Sequence, residues 1–409
     1  MTPARRASPG LLPWVFPAIL AVTALNVVLT NRDLTQGFAQ LQVIAEPVRP
    51  AAVAWLQRGV SLLLLLAAVE QIANHLALRL RTPSALLLGT FLAYWAGSTG
   101  LPAFLGANPQ VSHELLYALG AGTAACLASP SERDRILALA RDTLFVLMLA
   151  GVALVPLRLH MVLDTTYAEG LLRGLPRFGG LAAHPVSQGM MAQVALLLLL
   201  ARPYRRRSLR LAAWVLGLGV LVMAQSKTAW FAFLLSGGAM AWARHGRAFQ
   251  ARLADPRRSG FGVAVSALAA LAVVAVAATL LFADVAGRFG AFLASDQGAQ
   301  LVSLTGRDRI WAAAAQEWAA HPVFGYGLSL WDAAYRASIG LPQATHAHNQ
   351  FMDDAARAGT VGAVAQRGDV VPNHMVGLVH QQQACRGEPL DMGRDHLCRR
   401  GHARMGAFQ

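Results

Sequence analysis

The chain has 409 residues and a formal net charge of +14; it is 55% hydrophobic against 14% charged, with a mean hydropathy of +0.44. A soluble globular protein carries about one quarter charged residues, so this balance excludes a soluble enzyme, a fibrous protein and a disulfide scaffold as first readings. The cysteines Cys126, Cys385 and Cys398 are too few and too scattered for a disulfide framework.

In chain order, apolar segments of span length or slightly less fall at 11–30, 52–73, 84–101, 114–129, 137–157, 185–201, 211–225, 228–243 and 261–283. They predict an all-α integral membrane protein of about nine spans over 1–283, a multi-span helical bundle in contact with the lipid bilayer. Arg5 and Arg6 precede the first segment, but no small-residue cleavage site follows, so it reads as a retained helix.

Lys227 is the only lysine; every other basic residue is arginine, and these sit in short clusters between the apolar runs. They form no stripe alternating with aromatics, which argues against a nucleic-acid partner. Arg5 and Arg6, Arg79 and Arg81, Arg133 and Arg135, Arg202 to Arg210, and Arg244 to Arg258 mark every second connection. The positive-inside rule then puts the N-terminus in the cytoplasm. Because 211–243 lies between two basic loops, it reads as two short helices breaking around Gln225, Ser226 and Lys227. The break places Lys227 near the outer surface or in a protein-lined cavity, because a bare ammonium in hydrocarbon is costly. A lysine snorkelling to the interface explains the position equally well.

With nine spans, residues 284–358 begin on the outer side, and their Trp, His and Arg content predicts an ordered, partly helical domain. Thr305-Gly306-Arg307-Asp308 reads as a helix start, the helix running to about Ala320. His321-Pro322 ends it, and Gly325-Tyr326-Gly327 makes a tight turn. Residues 359–365 look like the start of a further span. The stretch 366–409 breaks the pattern with His374, His380, Cys385, His396, Cys398 and His402. Their spacing fits no compact zinc module, and an atypical polar tail, from a shifted reading frame or a truncation, explains the change better.

Four segments carry a resemblance. They are Arg177-Phe178-Gly179-Gly180 with His184-Pro185; Thr305-Gly306-Arg307-Asp308-Arg309-Ile310-Trp311; His321-Pro322-Val323-Phe324-Gly325-Tyr326-Gly327; and Thr345-His346-Ala347-His348-Asn349-Gln350 followed by Gly359 and Gly362. In order and spacing, over 175–362, they resemble the O-antigen ligase and Wzy-type polymerase family of membrane glycosyltransferases. The resemblance implies a GT-C-like enzyme of the bacterial inner membrane with its active site at the periplasmic face. Such an enzyme takes a glycan from an undecaprenyl diphosphate carrier to an acceptor hydroxyl. A ligase uses the lipid A–core as acceptor; a polymerase, in O-antigen or exopolysaccharide synthesis, extends a growing polysaccharide.

By the same resemblance His348 is the catalytic candidate, and Arg177 and Arg307 are the diphosphate-binding arginines. His346, two positions away, is the near rival of His348; Arg309 and Lys227 are further candidates for the diphosphate, and His184, Gln188 and Asn349 for the acceptor or another part of the site.

The chemistry suits those residue types. Bond breaking at the sugar develops negative charge on the diphosphate, which the planar guanidinium fork meets with paired donors. An imidazole can take a proton from a sugar hydroxyl near neutral pH. If 345–349 is extended, His346 and His348 share a face. The outer segments hold no compact Asp-x-Asp cluster for a metal, so transfer without metal or other cofactor is expected; Asp353-Asp354 reads as a solvated or dipole-paired face. His184 has a second reading as a helix cap. Trp311, Trp318, Tyr326 and Trp331 could stack on sugars, although packing is the commoner use. A polytopic transporter is the competing class, with Arg58 and Glu70 as intramembrane charges.

Overall fold

The computed structural model describes residues 10–35, then 50–253 apart from 81, 168–171 and 173, and 307–366 apart from 343, with scattered positions between 254 and 306. Most of 261–283, most of 284–306 and the tail beyond Gln366 therefore lie outside the described residues.

The described part is almost wholly helical: α1 (Leu12–Leu29), α2 (Ala51–Ala77), α3 (Ala85–Trp95), a π turn (Ala96–Gly100), α4 (Leu101–Leu105), α5 (Glu114–Leu127), α6 (Pro130–Ala153) and α7 (Leu159–Val162). Two short strands, β1 (Leu163–Asp164) and β2 (Arg177–Phe178), pair antiparallel before α8 (Pro185–Ala201), α9 (Arg207–Met223) and α10 (Lys227–Leu253). After these come α11 (Arg307–Ala320), α12 (Ala333–Ser338) and a helix over 350–366, α13. The chain is an all-α membrane protein. α1, α2 and α6 are long and apolar enough to cross a bilayer, and α5 and α8 are shorter apolar helices.

Local chemistry sets these boundaries. Ser129 and Glu132 form a reciprocal capping box at the head of α6, with Pro130 in its first turn. Pro102 has no amide to return to Ser98, and the helix widens into its π turn just before it. α9 and α10 are separate helices, as the charge pattern requires, because Gln225 turns the chain at φ +49°.

Of the described residues, those within 1–74 and 128–310 form one compact unit and those within 75–127 and 311–366 form a second. In the first, α8 packs against α6, α9 and α10, and α1 lies along α6, burying Leu144, Met148, Leu196 and Leu199. The basic side chains flanking α8 have a local task besides orientation. Arg244 donates to the carbonyls of Leu200 and Ala201, and Arg141 to that of Arg202, filling acceptors that the helix end leaves open. The outward faces stay apolar: Leu62, Leu66 and Val69 on α2 and Phe231, Leu234 and Leu235 on α10 are exposed, as lipid contact demands. Glu70 takes the Leu11 N–H at 2.8 Å and Arg58 lies over Trp55, so both charges of the transport reading have partners near helix ends.

In the second unit the 321–327 turn is stitched into α13. At Gly359 (φ +66°) the helix breaks, and the N–H groups of Thr360 and Val361 donate to the carbonyls of Pro322 and Val323 at 2.8 and 3.3 Å. In an unbroken helix they would have bonded to Ala356 and Arg357. Those two carbonyls instead accept the N–H groups of Tyr326 and Gly327 at 2.9 and 3.0 Å. The carbonyls of Gly325 and Tyr326 take the N–H groups of Ala107 and Asn108. Glycine is required at the crossing: a Cβ on Gly359 would lie 2.3 Å from the Val323 oxygen, and one on Gly325 2.4 Å from the Arg357 carbonyl carbon.

Gly359→Ala therefore combines a left-handed backbone with a steric clash, and should destabilise the purified protein by more than about 2 kcal/mol in thermal unfolding. Gly219→Ala, inside α9 with nothing within 4 Å of the new methyl, should be neutral or stabilise by up to about 1 kcal/mol. Equal midpoints for the two variants would contradict the docking.

Candidate functional site

The expected residues fall into two groups, one in each unit. In the first unit, β2 places Arg177 opposite Asp164. Only 7% of Arg177 is exposed; its Nε donates to the Ala224 carbonyl at 2.9 Å, and its guanidinium stacks over Tyr167 at 4.5 Å. It is thus neither an ordinary loop–span charge nor an open surface one. Burial lowers its pKa, while Tyr167 and Asp164 act in the opposite direction. Among the described residues neither Nη takes a protein acceptor, which leaves that edge of the fork able to receive phosphate oxygens.

The loop after β2 is fixed by a residue that carried no signal in the sequence. Arg32, just beyond α1, donates to the carbonyls of Met161 at 2.7 Å, Gly180 at 2.8 Å and Ala182. Burial pushes its pKa down to about 10, so it remains a cation at neutral pH. One guanidinium thereby pins the loop that carries Gly179 and Gly180.

His184, which follows, caps α8: its Nδ1 accepts the Val186 N–H at 3.0 Å. That bond requires a neutral ring with its proton on Nε2. Burial, then the charges of Arg177 and Arg32, push the His184 pKa down to about 4. Of the two readings, the cap is therefore formed, and the ring stays neutral at neutral pH, with no second proton on Nδ1. Gln188, one turn into α8, is fully buried, and both its amide atoms lack a partner among the described residues. Its Oε1 lies 2.8 Å from where a Gly180 Cβ would stand, so it faces the pinned loop. Lys227 opens α10 and is exposed, directly after the buried Gln225 and Ser226.

In the second unit, 345–349 is a bend, not an extended strand. His348 has φ +53°, a left-handed conformation that histidine tolerates better than most residues. Even so, the bend brings the two imidazoles together, with ring centroids 4.0 Å apart. Both are exposed, whereas Ala347 between them is fully buried. Asn349 caps α13: its Oδ1 accepts the N–H groups of Phe351 and Met352 at 3.0 and 3.3 Å. The His-Asn pair thus has a structural half, since the cap fixes where α13 starts and where His348 stands.

Arg307 and Arg309 are exposed on the first turn of α11. Arg307 pairs with neither Asp308 nor Glu317 among the described residues; Glu317 accepts the Tyr335 hydroxyl at 2.9 Å. The Thr305 cap lies outside the described residues. Asp353 and Asp354 overturn one expectation. Neither is solvated: they are 7% and 4% exposed, Asp353 accepting the Ala347 N–H beneath the histidine bend and Asp354 accepting from Gln350 Nε2 at 3.0 Å. The aromatic residues pack: Trp311 Nε1 donates to the Ala347 carbonyl at 2.7 Å, Trp331 Nε1 to Asp353 at 2.8 Å and Trp318 Nε1 to Thr360 at 3.3 Å. Among the described residues no three His, Cys, Asp or Glu side chains are grouped to hold a metal.

Residues 211–365 match the family model described as O-antigen ligase. The match begins within α9 and covers α10, the 321–327 turn and the histidine bend, while Arg177 to Pro185 lie outside it. The matched segment is thus similar to the O-antigen ligase family, and it lies in a chain whose apolar helices are long enough to cross a membrane. No curated protein and no solved structure matches the chain significantly.

The His184 cap yields a pH prediction. Its folded pKa of about 4 lies below the unfolded value of 6.5, so the unfolded chain binds a proton that the native state refuses. Stability from this residue is complete above the unfolded pKa and declines as pH falls from 6.5 toward 4. His184→Asn keeps a capping oxygen without the titration and should flatten this decline in thermal unfolding. His184→Ala should cost about 1 kcal/mol at neutral pH.

Proposed function

We propose that the protein moves a glycan from an undecaprenyl diphosphate carrier to an acceptor hydroxyl at the periplasmic face of the inner membrane, as an O-antigen ligase with the lipid A–core as acceptor. The observation that carries this reading is the exposed His346–His348 pair, rings 4.0 Å apart, on a buried anchor inside the segment that matches the O-antigen ligase family.

His348 takes the proton of the acceptor hydroxyl as that oxygen attacks the anomeric carbon. The bond from that carbon to the diphosphate oxygen breaks, and the charge passes to the leaving group. His346 stands against His348 and shares in holding the acceptor. Arg177, through its Nη edge, and Arg307 and Arg309, exposed in the first turn of α11, meet the diphosphate, as does Lys227 at the head of α10. A helix N-terminus adds free N–H groups and a favourable dipole for an anion. These cations supply leaving-group stabilisation without a metal. Gln188 contributes hydrogen bonding near the Gly180 loop.

Transfer from purified undecaprenyl-diphosphate glycan to lipid A–core tests the proposal. His348→Ala should lower the rate by about 10²- to 10⁴-fold, the usual worth of a general base. Arg307→Ala should lower it by about 10²-fold or more. Chelator should leave it unchanged. Elongated carrier-linked product without any lipid A–core conjugate identifies a polymerase instead, and full transfer by both variants overturns the assignment.

A further inference from the structure

The histidine bend raises a physical question. His348 is held at φ +53°, a conformation that costs a non-glycine residue about 1–2 kcal/mol, while its ring and that of His346 are exposed. Such strain persists only where neighbouring groups over-determine it. The peptide between the two histidines is held from beneath the bend.

Beneath it lies Asp353. Its Oδ1 accepts the Ala347 N–H at 2.9 Å and the Trp331 indole N–H at 2.8 Å; its Oδ2 faces Arg357 Nη1 at 3.3 Å. The Ala347 carbonyl is taken by the Trp311 indole at 2.7 Å. Both polar groups of the one peptide residue between the two histidines are thus bound by buried or half-buried side chains, and its methyl is fully enclosed. Trp331 in turn stacks edge-on against Tyr335, with centroids 5.9 Å apart, and the Tyr335 hydroxyl is fixed by Glu317. The carboxylate therefore stands on a rigid base. Asn349, capping α13, holds the other side of His348.

We infer that Asp353 is a positioning residue for the histidine pair: its Oδ1 holds the Ala347 N–H so that His348 keeps its left-handed backbone and its ring stays against that of His346, toward the acceptor. The inference rests on the proposed role of His348, although Asp353 itself touches no reacting atom. Its effect should fall on the chemical step, because a shift of about 1 Å in a catalytic group can cost about 10²-fold in rate while remote substrate contacts remain.

The test uses the full-length protein in lipid nanodiscs with undecaprenyl-diphosphate glycan and a defined acceptor, measuring kcat and donor KM separately. Asp353→Ala should lower kcat by about 10²-fold with donor KM within about twofold. Asp353→Asn retains an Oδ1 acceptor for Ala347 and Trp331 while losing the charge toward Arg357, so it should restore kcat to within a few-fold of the native enzyme. Wild-type kcat in Asp353→Ala overturns the inference, as does an Asp353→Asn enzyme as slow as Asp353→Ala, which would make the Arg357 pair the active element. Should Asp353→Ala not fold, Trp311→Phe removes only the indole donor to the Ala347 carbonyl. A lowered kcat at unchanged KM then supports the anchored peptide, and native kinetics overturn it. An inert native enzyme, or an active His348→Ala, refutes the parent proposal; a defect or its absence confined to the Asp353 and Trp311 variants bears on the anchor alone.

Discussion

An exchange of backbone hydrogen bonds at Gly359 underlies the arrangement of the second unit. Two amides and two carbonyls that α13 gives up are taken by the 322–327 turn, and neither segment could be finished without the other. A buried unpaired amide or carbonyl costs about 1–3 kcal/mol, so four orphaned groups would strain the stability of any domain. The exchange fixes α13 against the turn that follows α11. It also fixes the start of α13, where Asn349, Asp353 and the histidine bend sit. The spacing from His348 and Asn349 to Gly359 is thereby explained as a length of helix: the bend at one end, the break at the other.

The first unit handles charge differently. Arg32 and Arg177 are cations in enclosed positions, yet both spend hydrogen bonds on main-chain carbonyls, not on carboxylates. Carbonyl acceptors hold a guanidinium in place without neutralising it, so the loop around Gly180 keeps a positive potential. The lowered pKa of His184 comes first from burial and then from these two charges. A full salt bridge would have silenced the same charges. This is the electrostatic setting that an anionic lipid-linked donor calls for.

Much of this was legible in the sequence. Apolar runs gave helices at nearly all the expected places, because a bilayer leaves little alternative to helix. The break near Gln225 followed from charge asymmetry alone, and the α11 end and the 325–327 turn from Pro and Gly. What stayed hidden was tertiary. Arg32 reads as an ordinary basic residue after a span, and nothing nearby marks its carbonyl partners more than one hundred positions away. Asp353 and Asp354 read as a solvated or dipole-paired face, and the solvated half failed because an i to i+1 pattern does not tell which face of a helix is covered. The extended reading of 345–349 failed for a local reason: Ala347 is anchored, and the chain must turn left-handed at His348 to reach the Asn349 cap.

The central claim is that the histidine bend faces the side of the membrane where lipid-linked glycans are handed on. Thr345 is exposed beside it. In a background with Cys126, Cys385 and Cys398 replaced by serine, Thr345→Cys should react in intact spheroplasts with a thiol reagent that cannot cross the membrane. Labelling that appears only after the membrane is opened would contradict the account.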